Sequence, residues 1–233
     1  RCGYAVTVFE AQLQLGGLLR DGIPPYRLPR EVLDGEIARI LELGVDVRTG
    51  VAFTTEEDFA RLRKEFDAVY LALGAREPKR LPQLDYAEPW VMDGASYLAQ
   101  ANAGKPPALG KRIAVIGGGS AAMDVARSAR RAGHAVTVLS LEAEEQMPAQ
   151  REEVVEAREE GVELFDRAML RLAARDGAHL RLDCVRVKFD NGRVDVLPGI
   201  EFQLETDALV TAIGQDAQLA PLPSLARTEG ALV

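Results

Sequence analysis

The chain has 233 residues, a net charge of −8 and 47% hydrophobic residues, enough for one large or two small domains with a substantial core. The acidic balance argues against nucleic acid or an anionic membrane as a main partner, and no apolar run approaches the ~18–20 residues that span a bilayer. Cys2 and Cys184 lie far apart without C-x-x-C spacing, and His134 and His179 are the only histidines, which disfavours a cluster, a metal site or a His-based triad.

The opening Arg1-Cys2-Gly3-Tyr4 leads straight into an apolar strand that ends at Glu10, so no signal peptide and a cytoplasmic location are expected. Gly16 to Pro29 is dense in glycine and proline and reads as a long, shaped loop, with Leu18, Leu19, Ile23, Tyr26 and Leu28 suggesting that it is packed. Val32, Leu33, Ile37, Ile40 and Leu41 recur at helical spacing, and Gly44 ends that helix. Val45 to Arg48 is a short strand. Thr55 before Glu56, Glu57 and Asp58 predicts an N-cap and a helix running to Lys64. Ala68 to Leu73 is expected as a buried strand closed by Gly74-Ala75. Residues 76–110 are punctuated by prolines around a short helix at Ser96 to Ala101, a plausible crossing between domains.

Residues 112–142 carry the strongest signal. An apolar run, Ile113 to Ile116, turns through Gly117-Gly118-Gly119-Ser120-Ala121-Ala122 into a helical segment, Met123 to Ala132, and a second apolar run, Ala135 to Leu139. That is a βαβ unit of about the expected ~30 residues with a G-x-G-x-x-A turn. Gly117 allows the tight turn, Gly119 lets the backbone approach a pyrophosphate, and Ala122 lets helix and strand pack closely. The helix N-terminus offers free N–H groups to phosphates. An acidic helix, Glu152 to Glu160, follows, its charges read as a solvated face. Val162 to Phe165 is a strand. Residues 179–188, 193–197 and 200–204 alternate in short runs split by Asp190-Asn191-Gly192 and Pro198-Gly199, suggesting antiparallel hairpins. Ala208 to Gln215 is a buried strand closed by Gly214, similar to 68–75.

The pattern R-x-G-x-A-V-T-V occurs twice, from Arg1 and from Arg131. The second copy ends the helix and forms the second strand of the βαβ unit. The first is therefore expected to be the same part of another dinucleotide-binding unit, whose glycine turn would lie upstream. Glu10 then stands where an acid accepts hydrogen bonds from an adenosine ribose; a solvated acid at a strand end is the alternative.

The stretches G-G-L-L-R-x-G-I-P-x-Y-R-L-P at 16–29, Y-L-A-L-G-A at 70–75, V-I-G-G-G-S-A-A-M-D-V-A-R at 115–127, Q-M-P-A at 146–149 and T-A-I-G-Q at 211–215 together resemble the small (beta) subunit of glutamate synthase. The flavin part of dihydropyrimidine dehydrogenase and adrenodoxin-reductase-like flavoproteins are similar too. The resemblance covers nearly the whole chain. It implies an α/β fold in which a Rossmann-like NAD(P)-binding domain, 88–212, is inserted into a partial Rossmann-like FAD-binding domain, 1–78 and 213–233. It implies hydride transfer between NAD(P)H and FAD, with electrons passed to a larger iron–sulfur partner subunit.

Carried over residue by residue, the resemblance implies that Glu10 binds the FAD ribose and that Gly17, Leu18 and the Ile23-to-Pro29 loop with Arg27 lie along the flavin. It puts Val51 near the adenine, Gly74 near the FAD pyrophosphate, and Gly117, Gly119, Ser120 and Ala121 on the phosphates of the nicotinamide dinucleotide. Gly214 ends the strand returning to the FAD domain. Asp124, after the glycines, reads either as a ribose or nicotinamide contact or as a favourable acid at a helix N-terminus. No catalytic acid–base pair stands out, and hydride transfer between stacked rings needs positioning more than one.

Three departures accompany the resemblance. The upstream flavin glycine turn and the family's C-terminal G-D segment are not in the sequence, so a chain truncated at both ends, holding FAD weakly or not at all, is expected. The family's cysteine-rich cluster region is absent. Where the family often has Tyr-Arg-Arg to pair with an NADPH 2′-phosphate, this chain has Ser140-Leu141-Glu142. Glu142 would repel a phosphate and accept from a free 2′-hydroxyl, so NADH is expected over NADPH, unless Glu142 faces solvent and Arg151 or a neighbouring loop supplies a cation. A nucleotide-binding module without its own turnover is the competing reading. A free-standing disulfide oxidoreductase is disfavoured because no redox cysteine pair exists.

Overall fold

The computed structural model describes residues 3–190, 192–217, 227–228 and 231–232. The chain divides into two compact units: Arg1–Arg20 with Leu28–Glu77 and Gln215–Val233, and Asp21–Arg27 with Pro78–Gly214.

In the first unit, β1 (Thr7–Glu10) is followed by a short helix, α1 (Leu18–Asp21), and by α2 (Arg30–Leu41). Strand β2 (Asp46–Thr49) then pairs in parallel with β1, Glu10 opposite Thr49. Helix α3 (Glu56–Glu65) begins with a full capping box: Thr55 Oγ1 accepts from Asp58 N–H, and the Asp58 carboxylate accepts from Thr55 N–H. Its apolar face buries Phe59 and Leu62 against Phe9, Phe53, Phe66 and Leu71, with Phe9 edge-on to Phe53 at 5.1 Å. The stripe expected on α2 is mostly uncovered: Leu33 is buried, while Val32 and Ile40 are exposed.

One expected strand does not form. Residues 68–73 have no strand assignment, and Tyr70 is 92% exposed. A strand exists only by hydrogen bonding to a neighbour, and among the described residues none pairs with this run. Pairing begins one residue past Gly74, with β3 (Ala75–Pro78).

The second unit is a three-layer α/β sandwich. Its central elements are β4 (Val91–Asp93), α4 (Gly94–Asn102), β5 (Arg112–Ile116), α5 (Ser120–Arg131), β6 (Ala135–Leu139), α6 (Arg151–Glu159) and β7 (Glu163–Phe165). Three long strands follow, β8 (Ala168–Asp176), β9 (His179–Asp190) and β10 (Arg193–Thr206), and then β11 (Ala208–Thr211). The sheet β4-β11-β5-β6-β7 is parallel throughout. One face packs on the helices, burying Tyr97, Met123, Val125, Ala126, Ala129 and Val154 with Val115 and Val138. The other face packs on the antiparallel sheet β10-β9-β8 through Ala114, Ile116, Leu139 and Leu209 against Leu170, Leu180 and Leu182. Both faces being covered, β5 and β11 read as continuous apolar runs instead of alternating ones.

Two boundaries differ from the sequence expectation. Pro198-Gly199 does not divide β10; the strand runs through it with a register shift between Val196 and Glu201. A bulge absorbs the residues that cannot join the ladder. Helix α5 starts at Ser120, three residues before Met123, which puts Asp124 in its second turn and not at the N-terminus. Past β11 the chain re-enters the first unit as β12 (Gln215–Ala217), paired with β3. Strands β13 (Arg227–Thr228) and β14 (Ala231–Leu232) pair with each other. Among the described residues no helix is long and apolar enough to cross a membrane.

Candidate dinucleotide site

The turn between β5 and α5 is built by backbone contacts that only small residues permit. Gly117 has φ +141°, and a Cβ there would collide with the Ala212 carbonyl at the end of β11. Its N–H donates to Leu139 O at 2.9 Å, tying the turn to β6. A Cβ at Gly118 would strike Ser140 Oγ and lie 2.8 Å from Glu142 Oε2. At Gly119 the same test finds no heavy atom within 4 Å, so the backbone there borders open space. Helix α5 then begins with no side-chain cap, whereas Thr55 caps α3 and Asp93 caps α4. Uncapped N–H groups, the positive end of a helix dipole and room beside Gly119 make a place for an anion such as a pyrophosphate. Ser120 is half-buried and Ala121 exposed at the mouth of this turn.

Glu142 is held over the same turn. Ser140, fully buried at the end of β6, donates from Oγ to Glu142 Oε2 at 2.6 Å. Ser140 is fixed by its N–H to Phe165 O at 3.0 Å and by its carbonyl, which accepts from Ala168 N–H at 2.8 Å. The Glu142 carboxylate therefore lies against the Gly118 backbone and is half-buried, not free in solvent. The sequence singled out Ser140 and Glu142 but not their joint approach to Gly118.

Asp124 is 5% exposed, and its Oδ2 accepts from Arg27 at 2.7 Å. The other nitrogen of the same guanidinium pairs with Glu153, also 5% exposed. Burial pushes the Asp124 carboxyl up, against the downward pull of Arg27. The rest of the heptapeptide 21–27 is bound alongside. Asn102 Nδ2 donates to Asp21 O at 2.7 Å, and the Tyr26 ring lies beneath the guanidinium groups of Arg127 and Arg131 at 4.8 and 3.9 Å. Burial pushes the Tyr26 hydroxyl up to about 12. Arg127 is itself held by Glu156 at 2.5 Å and Glu160 at 2.8 Å.

The acidic helix is for the most part the solvated face expected, with Arg151, Glu152, Glu156, Arg158 and Glu159 exposed; the exception is Glu153, buried against Arg27, while Glu156 and Glu160 reach the buried Arg127. Sequence spacing could not pair an acid with an arginine on another element. Arg27 was expected along the flavin, and its guanidinium is committed to Asp124 and Glu153. The same contacts explain why 21–27, expected with the first domain, packs with the second unit.

In the first unit, Glu10 ends β1 with Oε1 accepting from Gln12 N–H at 2.8 Å, and its carbonyl accepts from Val51 N–H at 3.0 Å. Glu10 and Val51 are thus adjacent. Gly17 and Gly74 take left-handed conformations, φ +48° and +68°, and a Cβ at either would meet nothing within 4 Å. Leu18 and Leu19 are exposed, against the expectation of a packed loop, while Ile23, Tyr26 and Leu28 are partly covered. Gly214, φ +102°, follows β11 in the second unit, and its carbonyl accepts from Lys79 N–H at 3.0 Å. Cys184 is buried on β9, and burial pushes its thiol up to about 12, far from a reactive thiolate.

A family model described as "Pyridine nucleotide-disulphide oxidoreductase" matches residues 2–231. The chain belongs to this family. It is 39% identical over 94% of its length to the NADP(+)-dependent formate dehydrogenase subunit beta of Moorella thermoacetica, covering 32% of that protein. It is 34% identical to the glutamate synthase [NADPH] small chain of Halomonas elongata, over 95% of this chain and 50% of that one. It is 32% identical to the NAD-dependent dihydropyrimidine dehydrogenase subunit PreT of Escherichia coli, over 93% and 50%. The resemblance to the glutamate synthase small subunit and its relatives therefore holds, and the chain spans about a third to a half of the length of these curated relatives. A solved structure of Mycobacterium tuberculosis FprA, in complex with NADPH, superposes with a TM-score of 0.78 at 17% identity, covering 96% of this chain and 66% of that one, which establishes a shared Rossmann-type fold.

Proposed function

We propose that this chain binds a nicotinamide dinucleotide on its second unit and FAD on its first, and that it passes hydride between them on the way to an iron–sulfur partner subunit. Among its relatives are subunits named for formate dehydrogenase, glutamate synthase and dihydropyrimidine dehydrogenase, which supports a shared electron-entry role more than any one final acceptor. Gly117, Gly119, Ser120 and Ala121 hold the dinucleotide phosphates. FAD takes Glu10 at its ribose and Val51 beside its adenine, with Gly17, Leu18 and Gly74 along its length; the paired positions of Glu10 and Val51 and the open space at Gly17 and Gly74 fit such a group. Arg27 and Asp124, committed to each other at 2.7 Å, hold segment 21–27 on the second unit. A bound flavin supplies the hydride acceptor. The chain's own residues bind, orient and exclude water, and no proton-transfer group is required of them.

The reading extends to cofactor choice: NADH over NADPH. The observation that carries it is the Glu142 carboxylate, oriented by Ser140 at 2.6 Å and held beside Gly118. A carboxylate there accepts from a free ribose 2′-hydroxyl and repels a 2′-phosphate. Its relatives are named for both nucleotides, so the choice rests on this local geometry. Titrating the protein with NADH and NADPH, followed by nucleotide fluorescence, tests it: tighter NADH binding is expected, and tighter NADPH binding overturns the preference. Flavin absorbance in the purified protein tests the FAD assignment; a colourless protein that does not take up added FAD leaves only the nucleotide-binding module.

A further inference from the structure

A short piece of the second unit comes from a stretch that otherwise belongs to the first. The chain leaves the first unit after Arg20 and rejoins it at Leu28, and 21–27 packs with the second unit. Helices α4, α5 and α6 all grip it. Asn102 of α4 donates from Nδ2 to the carbonyls of Asp21 at 2.7 Å and Ile23 at 3.3 Å. Arg127 and Arg131 of α5 lie over the Tyr26 ring. Arg27 forks between Asp124 of α5 and Glu153 of α6. Pro24 and Pro25 stiffen the segment, and Arg27 N–H donates back to Pro24 O at 3.0 Å, closing the turn that presents the guanidinium.

Both carboxylates that Arg27 joins lead back to the glycine turn. Asp124 lies one helical turn along α5 from Ser120, at the mouth of that turn. The Glu153 carboxylate also accepts from Gln150 N–H at 3.1 Å, which caps α6. Ala149, just before that cap, donates its N–H to Gly118 O at 3.0 Å. Asp124 and Glu153 are both buried, and without a cation between them they repel, which acts to part α5 from α6 beside Gly118. The fixed fork of one guanidinium holds the two together.

We infer that 21–27 is a strap whose seating on α4, α5 and α6 and the binding of the dinucleotide at the glycine turn reinforce each other, with Arg27 as the positioning residue that links them. The inference rests on the nicotinamide reading above and deepens it by naming a device that regulates the same site. Linkage makes the effect reciprocal: what the nucleotide does for the strap, the seated strap does for the nucleotide. The strap continues through Arg20 and Leu19 into Leu18 and Gly17, which the proposed function lays along FAD. Nucleotide occupancy therefore steadies a segment continuous with the flavin-lining stretch.

The first test needs no substitution. Hydrogen exchange of the parent protein is followed by mass spectrometry with and without saturating NADH. The amides of Gly22, Ile23, Tyr26 and Arg27 should exchange about tenfold more slowly with NADH bound. The second test titrates Arg27→Gln and Arg27→Lys with NADH, followed by nucleotide fluorescence. Both variants should bind about tenfold more weakly than the parent, and in neither should NADH slow exchange in 21–27. Lysine keeps the charge and loses the fork. Parent-like affinity in Arg27→Lys beside a loss in Arg27→Gln reduces Arg27 to a charge near the phosphates and overturns the strap. Unchanged exchange in the parent on NADH binding, or parent-like affinity in both variants, overturns it as well. Should a variant not fold, the parent's exchange decides. A parent that binds no NADH overturns the nicotinamide reading and the strap with it.

Discussion

Val6 and Val136 occupy the same position of the repeated pattern R-x-G-x-A-V-T-V, as do Val8 and Val138, yet they meet different fates. Val136 and Val138 are 3% and 0% exposed; Val6 and Val8 are 48% and 39% exposed. Strand β6 is hydrogen-bonded on both edges, by β5 and β7, and is covered on both faces. Strand β1 pairs with β2 alone among the described residues. The runs that end in glycine repeat the contrast: 208–211 form a central strand between β4 and β5, and 68–73 form none. An apolar run states a capacity to be buried, and its neighbours decide whether it is used.

The contrast can be broken by matched truncations. Leu209, fully buried at the sheet centre, should cost about 2–5 kcal/mol of stability when changed to alanine. Chemical denaturation monitored on the second unit would check this, and a loss under 1 kcal/mol would contradict the packing described. Arg27→Gln should come next, at about 2–3 kcal/mol, because it leaves Asp124 and Glu153 buried without their cation. The Asp124 carboxyl is already pushed up by burial, and losing Arg27 raises it further. A carboxyl whose folded pKa exceeds its unfolded value binds more protons when folded, so the deficit should shrink as pH falls from 7 to 5. A pH-independent deficit would place the loss elsewhere.

Glu142→Arg should exchange the two nucleotides by roughly tenfold or more, weakening NADH and strengthening NADPH, at a cost of about 1–3 kcal/mol in stability because the buried Ser140 hydroxyl loses its acceptor. Equal effects on both nucleotides would remove Glu142 from the choice.

A smaller effect, about 1–2 kcal/mol, is expected for Asp207→Asn. Although burial pushes the Asp207 carboxyl up, Arg112 N–H, His179 and Lys111 N–H hold it down at about 2. Its stabilisation is complete above the ordinary carboxylate range near pH 4 and is lost as pH falls toward 2. The variant should therefore show a flatter stability curve than the parent across that interval. Val8→Ala, on the uncovered strand, should change stability least, by about 0.5 kcal/mol or less. A cost matching that of Leu209→Ala would erase the contrast between the two copies.

What the sequence determined by itself is local. The strand, glycine turn and helix of residues 112–139 are set by residue size and periodicity, because Gly117 meets a steric demand that no larger residue satisfies and Ala122 is fully buried. Thr55 and Asp58 cap α3 through contacts three residues apart, within reach of a linear reading. The tertiary structure decided everything that joins distant segments. It left 68–73 without a partner strand among the described residues, carried β10 through Pro198-Gly199, and committed Arg27 to Asp124 and Glu153. A cap or a glycine turn is enforced by its own neighbours in the chain. Burial, ion pairing and stacking surfaces depend on which surface another part of the fold supplies.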